Sequence, residues 1–230
     1  MQKKLLFTMC GRYTFTQTPD AEMVIPPEIE GQSWQASYNI APSQYAPIIP
    51  MEDPKRIHLA KWGLLPSWAK DPKIAYKMIN ARGETAHEKP AFRQSFSRSR
   101  CLVLADSFYE WQKSAKGKQP YRIMLANEQP FYLAGLSAYW AHPEGYTLHT
   151  FTIITTTPNE LMEPLHNRMP VILPKTQAFQ WLQPTTPQAS LKEMLLPFPS
   201  EEMKAYPVGA AVGNVRNNSP ELIEEIKPEA

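Results

Sequence analysis

Residues 101–111 read CLVLADSFYEW, and the reading of this run decides the fold. Residues 101–105 are apolar at every position, as in a buried strand, which makes Cys101 most simply an inert packed thiol. Residues 106–111 continue it, with Glu110 set between Tyr109 and Trp111. A carboxylate in that place is either exposed by alternation or placed for work, and burial would raise its pKa and suit it to acid–base catalysis. Working outward, 113–119 (KSAKGKQ) is a polar hairpin turn and the chain returns through 121–126. A second turn at 127–129 leads into 131–140, and after His142-Pro143-Glu144-Gly145 the segment 146–156 (YTLHTFTIITT) alternates again. Neighbouring strands joined by short turns predict an antiparallel meander.

The whole chain agrees with that centre. Its 230 residues can bury a sizeable core, and 43% hydrophobic with 20% charged content is ordinary for a soluble globular protein. The 24 prolines shorten regular elements and favour loop-connected strands over long helices. A formal net charge of +2 permits a nucleic-acid partner without demanding one. Only two cysteines occur, so there is no disulfide framework, and the five scattered histidines lack the spacing of a zinc site. The expectation is therefore no metal and no cofactor. No segment approaches a membrane span, and a reducing cytoplasm fits best.

Residues 10–16 (CGRYTFT) alternate with Tyr13 and Phe15 on one face and predict a strand. A short helix is expected at 20–25, closed by Pro26-Pro27, then a turn at 38–42 (YNIAP). Residues 45–51, with their prolines, predict an edge strand or irregular extension, and 56–62 (RIHLAKW) another strand. The loop 63–68 (GLLPSW) holds apolar side chains on an irregular backbone. Trp62 and Trp68 are either core anchors or a stacking platform for a base of single-stranded nucleic acid. A helical stretch from 84 to 97 follows Ile79-Asn80-Ala81-Arg82, and Arg93, Arg98 and Arg100 form a local basic cluster, a solvated face or a set of phosphate contacts. Helices are also expected at 159–165, 177–182 and 188–195, with His166 at the first one's end as a capping or packing residue or something more. Residues 208–215 read as a small-residue strand or loop, and the acidic end from Glu221 as a short solvated helix and tail.

Cys10 is chemically the most suggestive residue. If the mature chain begins there, one residue carries a thiol of ordinary pKa ~8.5 and an α-amine of ~7.7–8.0. The amine can condense with an aldehyde to an imine, and the thiol can then close on the imine carbon to give a five-membered thiazolidine.

Seven stretches, in order, resemble the SRAP family, the SOS-response-associated peptidases understood as abasic-site processing proteins. They are Met9-Cys10-Gly11-Arg12, Tyr38-Asn39-Ile40-Ala41-Pro42, Trp62-Gly63-Leu64-Leu65-Pro66, residues 79–85 (INARGET), Phe108-Tyr109-Glu110-Trp111, His166-Asn167-Arg168-Met169-Pro170 and Val212-Gly213-Asn214-Val215. The resemblance implies a single α+β domain over 10–218, with a β-rich, partly barrel-like antiparallel core and peripheral short helices. It implies a cytoplasmic, monomeric protein of the DNA-damage response that captures abasic sites in single-stranded DNA as a covalent thiazolidine of Cys10. Asn80, Glu110 and His166 would complete the catalytic site: His166 for opening the sugar ring, Glu110 for acid–base work, Asn80 for orientation. Arg12, Arg82 and Arg168, each two residues beyond a catalytic candidate, would hold phosphates, while Asn39, Trp62, Pro66 and Trp68 would line the nucleotide path.

One departure matters. In the family the cysteine directly follows the initiator methionine, whereas eight residues precede Met9 here. Residues 1–9 are expected to be a mis-called start or a leader, with Met9 the favoured start, and 219–230 an acidic tail. The alternatives are a thiol-dependent peptidase that removes its own leader, with Cys10 attacking and His166 or Glu110 as base, and a non-covalent binder of single-stranded DNA.

Overall fold

A computed structural model of the chain describes residues 10–16, 30–31, 34–114 and 117–227. The helix expected at 20–25 and the segment 1–9 lie outside the described residues. In chain order the regular elements are β1 (Tyr13–Phe15), β2 (Glu30–Gly31), β3 (Ser37–Ile40), β4 (Tyr45–Pro50), β5 (Arg56–Trp62), β6 (Asn80–Arg82), α1 (Arg93–Arg98), β7 (Arg100–Ala105) and β8 (Ser107–Ser114). They continue as β9 (Gly117–Leu125), β10 (Phe131–Ala141), β11 (Thr147–Thr156), β12 (Met169–Pro170), β13 (Ile172–Leu173), α2 (Lys175–Leu182), α3 (Gln188–Glu193) and β14 (Met203–Pro207).

Two sheets share one core. The larger closes on itself: β4, β7, β10 and β11 follow one another, and β5 pairs with both β4 and β11, so five strands form a barrel. The closing contact is short and parallel, Thr150 opposite Lys61 and Phe151 opposite Trp62. Ile48 and Ile49, consecutive on β4 and so on opposite faces of it, are both buried, as are Val103, Leu133 and Phe151, which supplies the main apolar stabilisation. Gly135 makes the tight curvature possible, because a Cβ there would stand 2.7 Å from Cys101 Sγ and 2.9 Å from Val103 Cγ2. The second sheet runs β14-β9-β8-β1-β3.

The opening run is therefore not one strand. Asp106 breaks it: residues before it belong to the barrel and those after it to the second sheet. The predicted meander is correspondingly interrupted, since β8 and β9 form a hairpin in the second sheet and β10 returns to pair with β7. Asp106 makes the transition stable by accepting bonds from Thr16 N (2.5 Å), Thr16 Oγ1 (2.6 Å) and the Thr14 hydroxyl. These bonds clamp β1 to the start of β8.

Other elements differ from expectation for local reasons. β4 is no edge strand, since it lies between β5 and β7. Residues 37–40 pair with β1 as a strand where a turn was expected. The helix expected from 84 is turns up to α1, with Pro90 inside the run. Residues 159–165 are turns around buried Met162. The three arginines of the basic cluster part company: Arg93 and Arg98 are exposed, while Arg100 is buried and donates to Phe96 O (2.9 Å), Trp181 O (2.6 Å) and Gln183 O (2.7 Å), capping the ends of α1 and α2. The segment from 219 packs rather than trailing, with Leu222 buried against Tyr109 and Val212, and Ile226 N donating to Pro207 O at 3.0 Å. No helix among the described residues is long and apolar enough to cross a membrane.

Candidate active site and nucleic-acid face

Alternation along β8 fixes the site. Tyr109 turns outward to a small cluster with Val208, Val212 and Leu222, whereas Phe108 joins the main core. Glu110 shares the face of Phe108 and is 4% exposed. Burial pushes its carboxyl above the usual range, and the charge of His166 together with bonds from Cys10 and from the Trp111 backbone opposes that rise.

Cys10, just ahead of β1, meets this carboxylate. Its backbone nitrogen donates to Glu110 Oε1 at 2.7 Å. Burial first, then the charge and hydrogen bond of Glu110, push the Cys10 thiol well up, with Arg168 pulling the other way. The residue has φ of 40°, left-handed backbone that costs a non-glycine residue energy. Thiol, nitrogen and carboxylate thus form one buried unit, held by Tyr109 N donating to Arg12 O at 2.9 Å and by the Asp106 clamp.

His166 approaches from the turns after β11. Its Nδ1 accepts from Arg168 N at 3.1 Å, which leaves the ring proton on Nε2 in the neutral form. Arg168 forks onto both oxygens of Glu84, with Nη2–Oε2 at 2.8 Å, and also donates to Thr155 O at 2.6 Å. That pairing holds the Glu84 carboxyl below its usual range. Asn80 and Arg82 sit on β6 opposite Ile153 and Thr155 of β11, so Arg82, Arg168 and Glu84 gather at one end of that strand. Asn80 is half-buried and Arg82 exposed.

The remaining predicted residues divide. Arg12 Nη1 donates to Asn39 Oδ1 (2.7 Å) and Val212 O (2.6 Å), and the guanidinium lies 5.8 Å from the Trp111 ring centroid. Asn39 Nδ2 in turn reaches Asn217 O (2.7 Å) and Asn214 O (3.1 Å). Arg12 and Asn39 are therefore joined to each other and to the segment 212–217. Trp62 is a core anchor at 1% exposure, its Nε1 donating to Ile79 O at 2.8 Å. Pro66 is buried, and Trp68 stands 54% exposed. Sequence reasoning gave no role to Glu84 or Asp106, although Glu84 lies inside the quoted 79–85 motif and a carboxylate there is the signal that could have paired with a nearby arginine. Among the described residues no three His, Cys, Asp or Glu side chains are placed to hold a metal ion.

Comparison with known proteins identifies the family of the chain. The profile of the SOS response associated peptidase (SRAP) family matches residues 9–215. The abasic site processing protein YoqW of Bacillus subtilis is 47% identical over 222 residues, covering 94% of this chain and 99% of the relative. The abasic site processing protein HMCES of Xenopus tropicalis is 33% identical over 265 residues, 95% of this chain and 78% of the relative. Among solved structures, a Bacteroides thetaiotaomicron protein superposes with a TM-score of 0.78 at 29% identity, covering 84% of this chain and 87% of that one.

Proposed function

The chain belongs to the SRAP family, and from that premise we propose that it processes abasic sites in DNA by capturing the exposed sugar aldehyde on Cys10. The observation that carries the reading is the 2.7 Å contact between Cys10 N and Glu110 Oε1. With Cys10 at the mature terminus, that nitrogen is an α-amine beside a carboxyl that burial raises above its usual range, as suits a general base. Glu110 takes the amine's proton. His166, with its Nε2–H free to donate, protonates the hemiacetal ring oxygen and opens the sugar. The amine adds to the aldehyde carbon, and Glu110 returns the proton as water leaves. Cys10 Sγ then adds to the imine carbon while its proton passes to nitrogen. The product is a thiazolidine that retains every atom of protein and sugar less one water. Asn80 orients the sugar. Arg12, Arg82 and Arg168 hold phosphates, Asn39, Pro66 and Trp68 shape the strand's path, and Trp62 supports that path from the core.

Single-stranded DNA is the target form, a reading supported by the exposed Trp68, whose ring would obstruct a stacked duplex. We place the domain at 10–218, acting as a monomer in the cytoplasm without a cofactor.

A second reading has its own support. The left-handed φ of 40° at Cys10 strains a residue whose nitrogen already faces Glu110. In a chain extended ahead of Cys10, its thiol attacks the carbonyl of residue 9, Glu110 delivers the thiol's proton to the departing Cys10 nitrogen, and water hydrolyses the thioester. Self-cleavage then exposes the amine that the capture step needs.

Intact mass of a chain starting at Met9, with and without an abasic single-stranded oligonucleotide, tests the first reading. The expected adduct equals the Cys10-terminated chain plus oligonucleotide less one water, and Cys10→Ala abolishes it. A free Cys10 terminus with no adduct refutes capture. N-terminal sequencing of full-length Cys10→Ser and Glu110→Ala proteins tests the second, and normal removal of residues 1–9 in both rules out self-cleavage.

A further inference from the structure

The sheet that carries the reactive pair ends in slight elements. β1 has three residues, and its outer neighbour β3 is the edge strand with four. Short edge strands fray unless something ties them down. Capture nevertheless needs Cys10 held closely against Glu110, because attack depends on the alignment of the reacting atoms.

The chain beyond residue 211 supplies that tie. Tyr38, in the middle of β3, has both backbone groups engaged: its N–H donates to Asn218 Oδ1 at 2.7 Å, and its carbonyl accepts from the Tyr109 hydroxyl at 2.9 Å. Asn39 follows, and its Nδ2 donates to the carbonyls of Asn217 and Asn214. Its Oδ1 accepts from Arg12 Nη1, which also reaches Val212 O. The line of contacts thus runs from Asn218 through β3 to Arg12, two residues from Cys10.

The segment that grips β3 is itself braced. Asn217 Nδ2 donates to Ala211 O at 2.8 Å and Arg216 N to Asn214 Oδ1 at 3.1 Å, which fixes the loop. Val212 and Leu222 are buried against Tyr109, and the Tyr206 hydroxyl of β14 donates to Ile223 O at 3.0 Å. Tyr109 and Glu110 are consecutive on β8, so the segment bears on one face of the strand whose other face carries the carboxylate.

We propose that residues 212–223 form a strap that aims Cys10 at Glu110, with Asn218 and the Tyr109 hydroxyl as positioning residues acting through Tyr38, Asn39 and Arg12. The assignment rests on Cys10 as the residue that captures the aldehyde. It gives this end of the chain a share in the rate of capture rather than in the grip on the strand, since Arg82, Arg168 and Trp68 do not lean on the strap.

Single-turnover adduct formation tests it, with the chain starting at Met9 and an abasic single-stranded oligonucleotide over a range of protein concentrations. The data give a maximal rate and a half-saturating concentration. Tyr109→Phe removes a hydroxyl from a fully buried side chain, out of reach of DNA, and Asn218→Ala removes the acceptor from Tyr38 N. Each lowers the maximal rate about threefold to thirtyfold, within the roughly hundredfold that a misplacement of about 1 Å costs, and shifts the half-saturating concentration less than about twofold. Asn218→Asp keeps an acceptor oxygen for Tyr38 N and restores the maximal rate. An unchanged maximal rate in either variant, or a change confined to the half-saturating concentration, overturns the proposal. Asn218→Asp as slow as Asn218→Ala also overturns it, since the hydrogen bond would then not be the cause. If the unsubstituted chain forms no adduct, capture by Cys10 is refuted, and iodoacetamide decides the positioning role by itself. Faster alkylation of the buried Cys10 in both variants, read by peptide mass, supports the strap, and equal alkylation overturns it.

Discussion

Cys10 N and Glu110 Oε1 meet at 2.7 Å although 100 residues separate them in sequence. Glu110→Gln keeps a carbonyl oxygen for that nitrogen but removes the base. Adduct formation in a single-turnover gel assay is expected to slow by about 10²–10⁴-fold, while the adduct that does form has an unchanged mass.

The same substitution carries a stability signature of opposite sign. Burial raises the Glu110 carboxyl in the folded protein, so the folded state binds its proton more readily than the unfolded state. The stabilising contribution of the protonated carboxyl is fully present below the ordinary carboxylate range and is lost as pH rises through the raised value. Glu110→Gln is therefore expected to melt higher than the parent at pH 7–8, with the gap closing toward pH 4. Equal melting at both pH values would show that the carboxylate is not penalised by burial.

Arg168 and Glu84 give the reverse case. The Arg168 fork holds Glu84 below its usual range, so the pair's contribution is present above the ordinary carboxylate range and lost as pH falls through the lowered value. Glu84 is half exposed, which limits the expected loss in Glu84→Gln to about 1 kcal/mol at neutral pH, shrinking in high salt. Removing that negative charge beside Arg168 and Arg82 is also expected to tighten undamaged single-stranded DNA by about threefold to tenfold at low salt. Urea titrations and anisotropy read the two effects separately.

Trp62 at the end of β5 and Trp68 in the loop that follows should separate cleanly. Trp62→Ala empties a core position and is expected to cost about 3–5 kcal/mol. Trp68→Ala is expected to leave stability within about 0.5 kcal/mol and to weaken DNA binding. Urea denaturation and anisotropy together check the contrast.

Gly63 has φ of 124°, and a Cβ there would lie 2.9 Å from the Ala75 carbonyl oxygen. Gly63→Ala is expected to destabilise by about 1–3 kcal/mol in urea titrations. It should also slow capture, because the loop it bends leads to Asn80.

What could be read in advance, and what could not, follows from the range of the interactions. Period-two alternation is local, so β1, β5 and β11 are readable from it. The fate of residues 101–111 was not, because the break at Asp106 depends on Thr14 and Thr16 from a distant strand. Prolines in 45–50 argued for an edge, yet partners on both sides place β4 in the barrel. At the site, Cys10, Glu110 and His166 were singled out from motifs and are brought together. The tie of Arg12 to Val212 O could not be read, because backbone carbonyls carry no residue-type signal. Trp62 and Trp68 look alike in sequence, and only tertiary packing decides which one faces water.

The short parallel contact between β5 and β11 has a kinetic meaning. Closing the barrel joins Trp62 to Phe151, a non-local contact that pays its loop-closure entropy before any packing rewards it. Glu110, His166 and the end of β6 gain their common geometry only once distant parts of the chain have come together. A nascent or misfolded chain therefore carries a thiol without its carboxylate. The pairing of Cys10 with Glu110 is thus a product of completed folding, and no stretch shorter than the 100 residues that separate them holds both partners.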